Sequence, residues 1–281
     1  MSGTLFLVAT PIGNLEDITY RAVRILGDVS VIACEDTRRT GVLLSRYGIH
    51  TKTVSYHQHN EAARSAQLLE RLSQGEDIGL VSDAGTPLVS DPGYRLVRLA
   101  IDGGIPVVPV PGPSAILAAL AASGLAAGEF HFGGFLPNKS SRRRKMLEGC
   151  RNLAATVVFY EAPHRILATL SDIEELLGER PIVVAREMTK VHEEFLRGTA
   201  AGLRRVLTAR GEPLGEFTLL IAGAEGAAAP EPLDPDLLRA DVEVAVAAGM
   251  SRMEAIKDLA RRKGVPKRLV YQALERREDP L

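Results

Sequence analysis

Short apolar segments alternate with longer segments of helical periodicity over the first 125 residues of the chain. The apolar segments predict five strands: Leu5–Ala9, Val29–Ala33, Lys52–Ser55, Ile78–Ser82 and Val107–Val110. The segments between them predict helices: Tyr20–Leu26, Arg39–Arg46, Asn60–Leu72, Tyr94–Ile101 and Ala115–Ala122. This alternation favours a mostly parallel sheet with helices on both faces. Since such sheets bind ligands at the carboxyl ends of their strands, the residues that follow each strand are candidates for a site.

Strand patterns dominate the second part of the chain, residues 126–223. The predicted strands are Phe130–Phe135, Thr156–Tyr160, Pro181–Arg186, Phe195–Thr199 and Phe217–Ala222. Helical patterns at 164–177 and 200–209 join some of these strands. Residues 224–235 combine small residues with three prolines, a composition typical of a linker. We therefore predict a two-domain α/β protein, with a mostly parallel sheet in residues 1–125, a mixed sheet in the second domain, and a linker after it.

A small helical module is predicted after the linker, in residues 236–281. Ser251 and Glu254 form a capping-box signature ahead of an apolar helical face. Gly264 predicts the end of that helix, and Pro266 predicts the start of the next one. Two short helices around a glycine turn resemble a helix-turn-helix.

Composition favours a soluble cytoplasmic protein. Of the 281 residues, 46% are hydrophobic and 25% are charged, which is the balance of a globular protein. The two cysteines, Cys34 and Cys150, form no CxxC pair, which argues against a zinc ribbon and fits a reducing compartment. The apolar run Leu5–Ala9 lacks a basic leader and is too short for a signal peptide. The uncharged stretch 103–128 contains four prolines, so it predicts a strand, a turn and a small-residue helix instead of a membrane span.

Net charge is −1, so any affinity for nucleic acid must come from local basic clusters. One cluster is Arg142–Lys145, which we predict to lie in a loop between the two domains. The other is the stretch 249–277, in which nine lysines and arginines against three acids leave a charge of +6. Phosphate contacts are one interpretation and solvated basic surfaces are the other. The candidate RNA-binding residues in these clusters are Arg142, Arg143, Arg144, Lys267 and Arg268.

Three loops after predicted strands are rich in glycine and proline. Residues 10–14 contain a glycine that allows either a tight turn or a close approach to a ligand, but no GxGxxG fingerprint. Residues 83–93 hold two rigid turns, in which Asp83 either accepts a hydrogen bond from a ligand or forms an Asx-turn with its own backbone. Residues 109–114 end in Ser114, which we expect to cap the following helix beside free amides that a polar ligand group can use.

Two further loops place acids beside arginines. Residues 35–39 and 160–165 both follow strands, where proton abstraction or phosphate contact is possible, although helix capping explains the same residues. Our candidates for a general base are Asp36 and Glu161, with Glu35 and His164 behind them, and Arg38 and Arg165 flank them as candidate phosphate clamps. The polar run 57–61 has no third histidine or cysteine at ligand spacing, so we expect no metal there.

Six segments resemble, in order, the successive motifs of the ribosomal RNA small subunit methyltransferase I family, which is similar to the tetrapyrrole methylases. They are ATPIGNLEDIT (9–19), LVSDAGTPLVSDPG (80–93), PVVPVPGPSA (106–115), VVFYEAPHR (157–165), AREMTKVHEEFLRG (185–198) and GEFTLLIAG (215–223). The resemblance covers about residues 4–223, and the helical tail resembles the C-terminal module of the family.

The resemblance implies a homodimer that binds S-adenosylmethionine in a cleft between its two domains. It implies 2′-O-methylation of a cytidine in the decoding region of 16S ribosomal RNA, with 16S rRNA or the small ribosomal subunit as partner. The cofactor-binding residues that it implies are Pro11, Asp83, Gly85, Thr86, Val89 and Ser114. The first loop departs from the glycine-rich loop of most tetrapyrrole methylases, because Thr10-Pro11-Ile12-Gly13 stands there. That departure points away from porphyrinoid substrates and leaves the contacts of the first loop with the cofactor open.

The sequence leaves two other classes of protein open. One is a methylase of a tetrapyrrole or another small molecule, against which the basic tail counts. The other is a ligand-sensing DNA-binding regulator, in which the acids and arginines of the loops would have no chemical task.

Overall fold

The computed structural model describes residues 2–224 and 235–262, and also Lys267, Val270, Tyr271 and Leu274. The chain divides into two compact units, residues 1–224 and residues 225–281. The predicted linker lies almost wholly outside the described residues, as does the turn with Gly264 and Pro266.

The first unit begins with a sheet of five parallel strands in the order β3-β2-β4-β1-β5. The strands are β1 (Leu5–Val8), β2 (Val31–Cys34), β3 (Thr53–Ser55), β4 (Ile78–Val81) and β5 (Val107–Val110). The helices are α1 (Tyr20–Asp28), α2 (Thr37–Arg46), α3 (Glu61–Ser73), α4 (Tyr94–Asp102) and α5 (Ala115–Ser123), and a 3-10 turn spans Leu15–Asp17. The predicted parallel sheet is confirmed.

Helices cover both faces of this sheet, and the core reflects it. Every residue of β2 and β4 is buried, which explains why their sequences show continuous apolar runs instead of alternation. Leu80 packs with residues of α3 and α4 on one face, whereas Val81 packs with residues of α1 and α2 on the other. Because both faces are dry, polar side chains are confined to the ends of the strands.

The second sheet is mixed, as predicted, in the order β6-β7-β10-β8-β9. Its strands are β6 (Phe130–Phe135), β7 (Thr156–Glu161), β8 (Ile182–Arg186), β9 (Glu194–Gly198) and β10 (Phe217–Ile221), and β6 and β7 are parallel while the other neighbours are antiparallel. The helices α6 (Ser140–Gly149), α7 (Ile166–Leu177) and α8 (Ala200–Ala209) cover one face, and a 3-10 turn spans Pro163–Arg165. Helix α5 packs on the other face through Ile116 and Leu120, against Val158 and Val183. The two sheets are therefore joined through α5 into one unit.

The prediction of a loop at Arg142–Lys145 is wrong, because these residues lie in α6. Helix α6 buries Arg143 and Leu147, four residues apart, against the second sheet. An arginine therefore occupies a position of the buried stripe where the helical pattern requires an apolar residue. Because a charged residue stands in the buried stripe, the apolar periodicity of α6 is interrupted and the sequence does not predict a helix there.

The second unit is a packed group of helices. Helices α9 (Pro235–Ala247) and α10 (Arg252–Arg262) share an apolar core that includes Leu238, Ile256 and Val270. The predicted capping box is confirmed, because Ser251 Oγ accepts from the backbone N–H of Glu254 at 3.3 Å and Glu254 Oε2 accepts from the N–H of Ser251 at 3.2 Å. Among the described residues, no helix is long and apolar enough to span a membrane.

Candidate functional site

The carboxyl ends of β1, β4 and β5 open into a cleft between the two sheets. Its cavity has a volume of about 360 Å³. Gly85, Thr86, Val89 and Ser114 line it from the first sheet, and residues 160–163, Met188 and Phe217 line it from the second. Four of the six predicted cofactor residues therefore share one cavity. The other two do not line it: Pro11 is buried beside the lining residue Ile12, and Asp83 faces an adjacent polar pocket.

The segment 83–93 is held by a strained and well-bonded backbone. Gly85 has a φ of 82° and exchanges two backbone hydrogen bonds of 2.9 Å with Thr10. Leu88 and Ser90 have φ values of 71° and 70°, which side chains rarely adopt. Such strain persists only where the surroundings impose it, and it is concentrated at binding and catalytic sites.

Asp83 does not form the simple Asx-turn that was the alternative for this loop. Its Oδ1 accepts from the backbone N–H of Asp36 at 3.0 Å, and its Oδ2 lies 3.5 Å from the guanidinium of Arg39. Asp83 therefore ties the loop after β4 to the start of α2. Ser114 caps α5 as expected, accepting from the N–H of Leu117.

The loop after β1 packs against the segment that follows β8. The backbone N–H of Asn14 donates to Thr189 Oγ1 at 3.0 Å. A Cβ on Gly13 would lie 2.6 Å from Cγ of Lys190 and 2.9 Å from the carbonyl oxygen of Met188. The glycine is thus required by close packing within the chain. This contact links the segment after β8 to the same loop whose Ile12 lines the cleft.

Asp36 is positioned for helix capping. Its Oδ1 accepts from the backbone N–H of Arg38 at 2.8 Å, and both of its oxygens accept from the guanidinium of Arg38, at 3.1 and 2.7 Å. These hydrogen bonds, the side-chain ones first, hold the pKa of the Asp36 carboxyl well below its usual range. A carboxylate stabilised in this way is a poor proton acceptor, so the geometry disfavours Asp36 as a general base.

Glu161 lines the cleft but is occupied by donors on both oxygens. Its Oε1 accepts from the N–H of Ala162 at 2.8 Å and lies 2.6 Å from the guanidinium of Arg165, while its Oε2 accepts from Thr169 Oγ1 at 2.6 Å. The Glu161 side chain is fully buried. Arg165 also donates to the carbonyl oxygen of Leu136 at 3.0 Å, so it serves the interior of the second sheet and not an open phosphate site. His164 is exposed beside them.

Asp91 and Tyr160 are functional candidates that the sequence did not indicate. Both line the cleft. Burial raises the pKa of Asp91 to about 6, and the negative charge of Glu35 adds to the shift. Burial and the neighbouring Asp91 raise the pKa of Tyr160 to about 12. In the sequence, Asp91 is indistinguishable from a turn residue, because only the tertiary fold buries it beside other acids.

A polar pocket of about 530 Å³ lies at the carboxyl ends of β2 and β3. Glu35, Arg38, Arg39, His57 and Asp83 are among its lining residues. It adjoins the cleft, because Glu35 and Asp83 both act electrostatically on Asp91. Within the described part of the chain, no group of three or more His, Cys, Asp or Glu residues is arranged to hold a metal ion.

The arginines of α6 differ sharply in their surroundings. Arg143 is buried, and its Nε donates to Asp172 Oδ2 at 2.7 Å. Arg144 donates to Asp172 at 3.0 Å and to Glu175 at 2.7 Å. Arg142 is exposed. Of the three predicted RNA contacts in this segment, two are therefore committed to ion pairs within the second sheet and its helices. In the second unit Lys267 is exposed, and Arg268 lies outside the described residues.

Comparison with known proteins assigns the fold first. Residues 4–204 match the family model of Tetrapyrrole (Corrin/Porphyrin) Methylases. The solved uroporphyrin-III-C-methyltransferase from Thermus thermophilus is similar with a TM-score of 0.56 and 22% identity, covering 78% of this chain and 94% of that one. Diphthine synthase is similar with a TM-score of 0.61 and 15% identity, covering 78% and 90%. The two sheets and the cleft between them are thus those of the tetrapyrrole methylase class.

Relatives of higher sequence identity indicate one family within this class. Ribosomal RNA small subunit methyltransferase I of Halalkalibacterium halodurans is 48% identical over 274 residues, which cover 96% of this chain and 93% of that protein. The proteins of the same name from Synechocystis sp. and Bacillus subtilis are 47% and 44% identical, each over 96% of this chain and over 96% and 94% of their own lengths. The chain belongs to the ribosomal RNA small subunit methyltransferase I family of tetrapyrrole methylases.

Proposed function

We propose that the chain is an S-adenosylmethionine-dependent methyltransferase that methylates the 2′-hydroxyl of a cytidine in the decoding region of 16S ribosomal RNA. The observation that carries the proposal is similarity of 44 to 48% identity to the relatives named above over nearly the whole chain. The cleft supports it, because segments from all six matching motifs (9–19, 80–93, 106–115, 157–165, 185–198 and 215–223) meet at one cavity.

The cleft fits the proposed cofactor. Its volume of about 360 Å³ lies within the range of roughly 300–1,000 Å³ that small-molecule sites occupy. Ile12, Val89 and Met188 give it apolar walls, and Gly85 and Ser114 bring backbone and hydroxyl groups to it. When bound, S-adenosylmethionine supplies a methyl group on a sulfonium that is already a good leaving group. The residues of the cleft then have to orient the acceptor and take up its proton.

A ribose hydroxyl is a weak nucleophile until its proton is removed. Hydrogen bonds from Arg38 hold the pKa of Asp36 well below its usual range, which disfavours it as a proton acceptor. Both oxygens of Glu161 already accept hydrogen bonds from groups of the chain, so we do not assign the base to it. Asp91 lines the cleft and has a pKa of about 6, close to neutral pH, which is the property of an effective general base. We assign the base to Asp91. Asp36 then positions α2 and Arg38, and Glu161 positions the loop after β7.

Positive side chains on the surface provide the RNA contacts of this proposal. The side chain of Arg38 is 90% exposed at the rim of the polar pocket. Arg142 and Lys267 are exposed as well. Because phosphate contacts provide affinity without sequence readout, these residues would hold RNA while the cleft selects the acceptor. The homodimer that the family resemblance implies is part of the proposal, and sedimentation of the purified chain tests it.

Transfer of labelled methyl groups tests the function directly. The protein is given labelled S-adenosylmethionine with small ribosomal subunits, free ribosomal RNA, a porphyrinoid or DNA, each in a separate reaction. We expect label in the ribosomal samples alone, and mass mapping of the RNA should place it on the ribose of one cytidine. Label on the porphyrinoid, or on a nucleobase instead of a ribose, would overturn the proposal.

A further inference from the structure

Strand β6 contains a one-residue irregularity that changes which way its last residue faces. Phe132 pairs with Val158 of β7, but Phe135 pairs with Tyr160, so three residues on β6 span two on β7. Gly134, with a φ of 70°, lies in this bulge. Since successive strand residues alternate between faces, the extra residue moves Phe135 onto the face of Phe132 and Tyr160. That face is turned toward the cleft, away from α6, α7 and α8.

The bulge leaves a large aromatic ring open to solvent at the cleft. Phe135 lines the cavity and is 56% exposed. The centroid of its ring lies 5.4 Å from that of Tyr160, and the centroid of the Phe132 ring lies 5.0 Å from that of Tyr160. The aromatic neighbours hold Phe135 in place while part of its surface stays uncovered. An aromatic ring that is held by its neighbours and exposed inside a cavity is suited to stacking against a ligand.

Phe135 lies in the same cavity as Asp91, the residue assigned as the base for the acceptor hydroxyl. Phe135 packs against Tyr160, and the charge of Asp91 contributes to the raised pKa of Tyr160. Asp91, Tyr160 and Phe135 line the same cavity. A Cβ on Gly134 of the bulge would lie 3.8 Å from Ser90 Oγ, next to Asp91 in the chain. A ribose whose 2′-hydroxyl reaches Asp91 therefore carries its own base into the neighbourhood of Phe135.

We propose that Phe135 is a stacking platform for the base of the acceptor nucleotide, turned into the cleft by the glycine bulge of β6. RNA-binding proteins capture splayed-out bases on aromatic side chains, and stacking does not require the base to be charged or paired. The inference rests on the proposed function and adds to it a positioning residue for the RNA. The base would stack on Phe135 while the 2′-hydroxyl of its ribose faces Asp91.

The test is a double-mutant cycle that removes the ring of Phe135, the base of the acceptor nucleotide, or both. Binding of an RNA fragment of the decoding region is measured for the full chain and for Phe135→Ala, with either cytidine or an abasic nucleotide at the acceptor position. Loss of a stacked base weakens binding on the order of 5- to 150-fold. We expect the abasic change to weaken binding by the wild-type protein by such a factor and to have almost no effect on Phe135→Ala. Equal losses in both proteins would overturn the proposal.

Three further measurements separate stacking from other roles. Phe135→Tyr should retain the RNA affinity that Phe135→Ala loses, and the S-adenosylmethionine affinity should be the same in all three proteins. A comparable loss of cofactor affinity in Phe135→Ala would mean that the ring holds the cofactor, which would also overturn the proposal. Tyr20→Ala is the control, because Tyr20 is 98% exposed but does not line the cleft. If the wild-type protein transfers methyl groups to RNA but the effects of Phe135→Ala and of the abasic nucleotide on binding are additive, only the stacking inference fails. If the wild-type protein transfers no methyl groups to RNA, the proposed function fails as well.

Discussion

The ion pair beneath α6 gives a prediction that separates a structural arginine from an RNA-binding one. Asp172 accepts from Arg143 at 2.7 Å and from Arg144 at 3.0 Å, and the side chains of Asp172 and Arg143 are only 10% and 7% exposed. In Asp172→Ala the guanidinium of Arg143 stays buried and loses its carboxylate. Removing one partner of a buried pair costs about 3–5 kcal/mol of folding free energy, because an uncompensated charge remains.

A matched control lies one turn beyond Asp172 in α7. Glu175 also pairs with Arg144, but its side chain is 66% exposed. Water replaces a lost partner at such a position, so Glu175→Ala should change stability little. Urea unfolding followed by circular dichroism measures both variants. For a chain of this size, a loss of about 3–5 kcal/mol corresponds to a drop in melting temperature on the order of 10 °C.

Replacing Arg143 as well should restore part of the lost stability. In Asp172→Ala with Arg143→Met, the buried charge is gone and an apolar chain of similar length fills the stripe of α6. If Asp172→Ala unfolds like Glu175→Ala, the pair contributes nothing and the assignment of Arg143 to the interior is wrong. RNA affinity below the melting temperature is a second readout, and it should not change in Asp172→Ala, since Arg142 remains exposed.

Three further predictions concern the cleft, the first loop and the tail. Asp91→Asn should reduce kcat by ~10²–10⁴-fold. The wild-type rate should fall as the pH drops through about 6, because Asp91 then gains a proton. If the kcat–pH profile of Asp91→Asn still shows this fall at acidic pH, the assignment of the base to Asp91 is wrong. Gly13→Ala should lose about 1–3 kcal/mol of stability because its Cβ would meet Lys190 at 2.6 Å, whereas Gly27→Ala, with nothing within 4 Å, should melt no lower than wild type. Removal of residues 225–281 should weaken RNA binding and reduce the slope of log affinity against log salt, and unchanged affinity across a salt series would refute a role of the tail in RNA binding.

Apolar periodicity was sufficient to predict most of the fold. Strands buried on both faces appear as continuous apolar runs, and helices that cover them carry apolar stripes, so the mostly parallel first sheet and the strands of the second could be placed in advance. Helix α6 was the exception, since Arg143 occupies its buried stripe. Its buried guanidinium is paired with Asp172, which is 29 residues away in the chain.

Local sequence also determined the capping groups, because a cap is formed by neighbours in the chain. Ser114 and the pair Ser251–Glu254 make the hydrogen bonds that their positions indicated. The order of six motifs was enough to indicate the family, and with it the class of cofactor.

The tertiary structure decided which acids are free to act. Asp36, Glu161 and Asp91 all lie at or after the ends of strands and look alike in the sequence. Hydrogen bonds occupy the oxygens of the first two, while burial raises the pKa of Asp91 to about 6. The pKa of a carboxyl group depends on how far it is excluded from solvent and on the charges that folding brings near it from distant parts of the chain. The orientation of Phe135 likewise depends on a bulge against β7. Sequence alone thus determined the elements and the family, whereas the chemistry of the cleft arises from contacts that only folding creates.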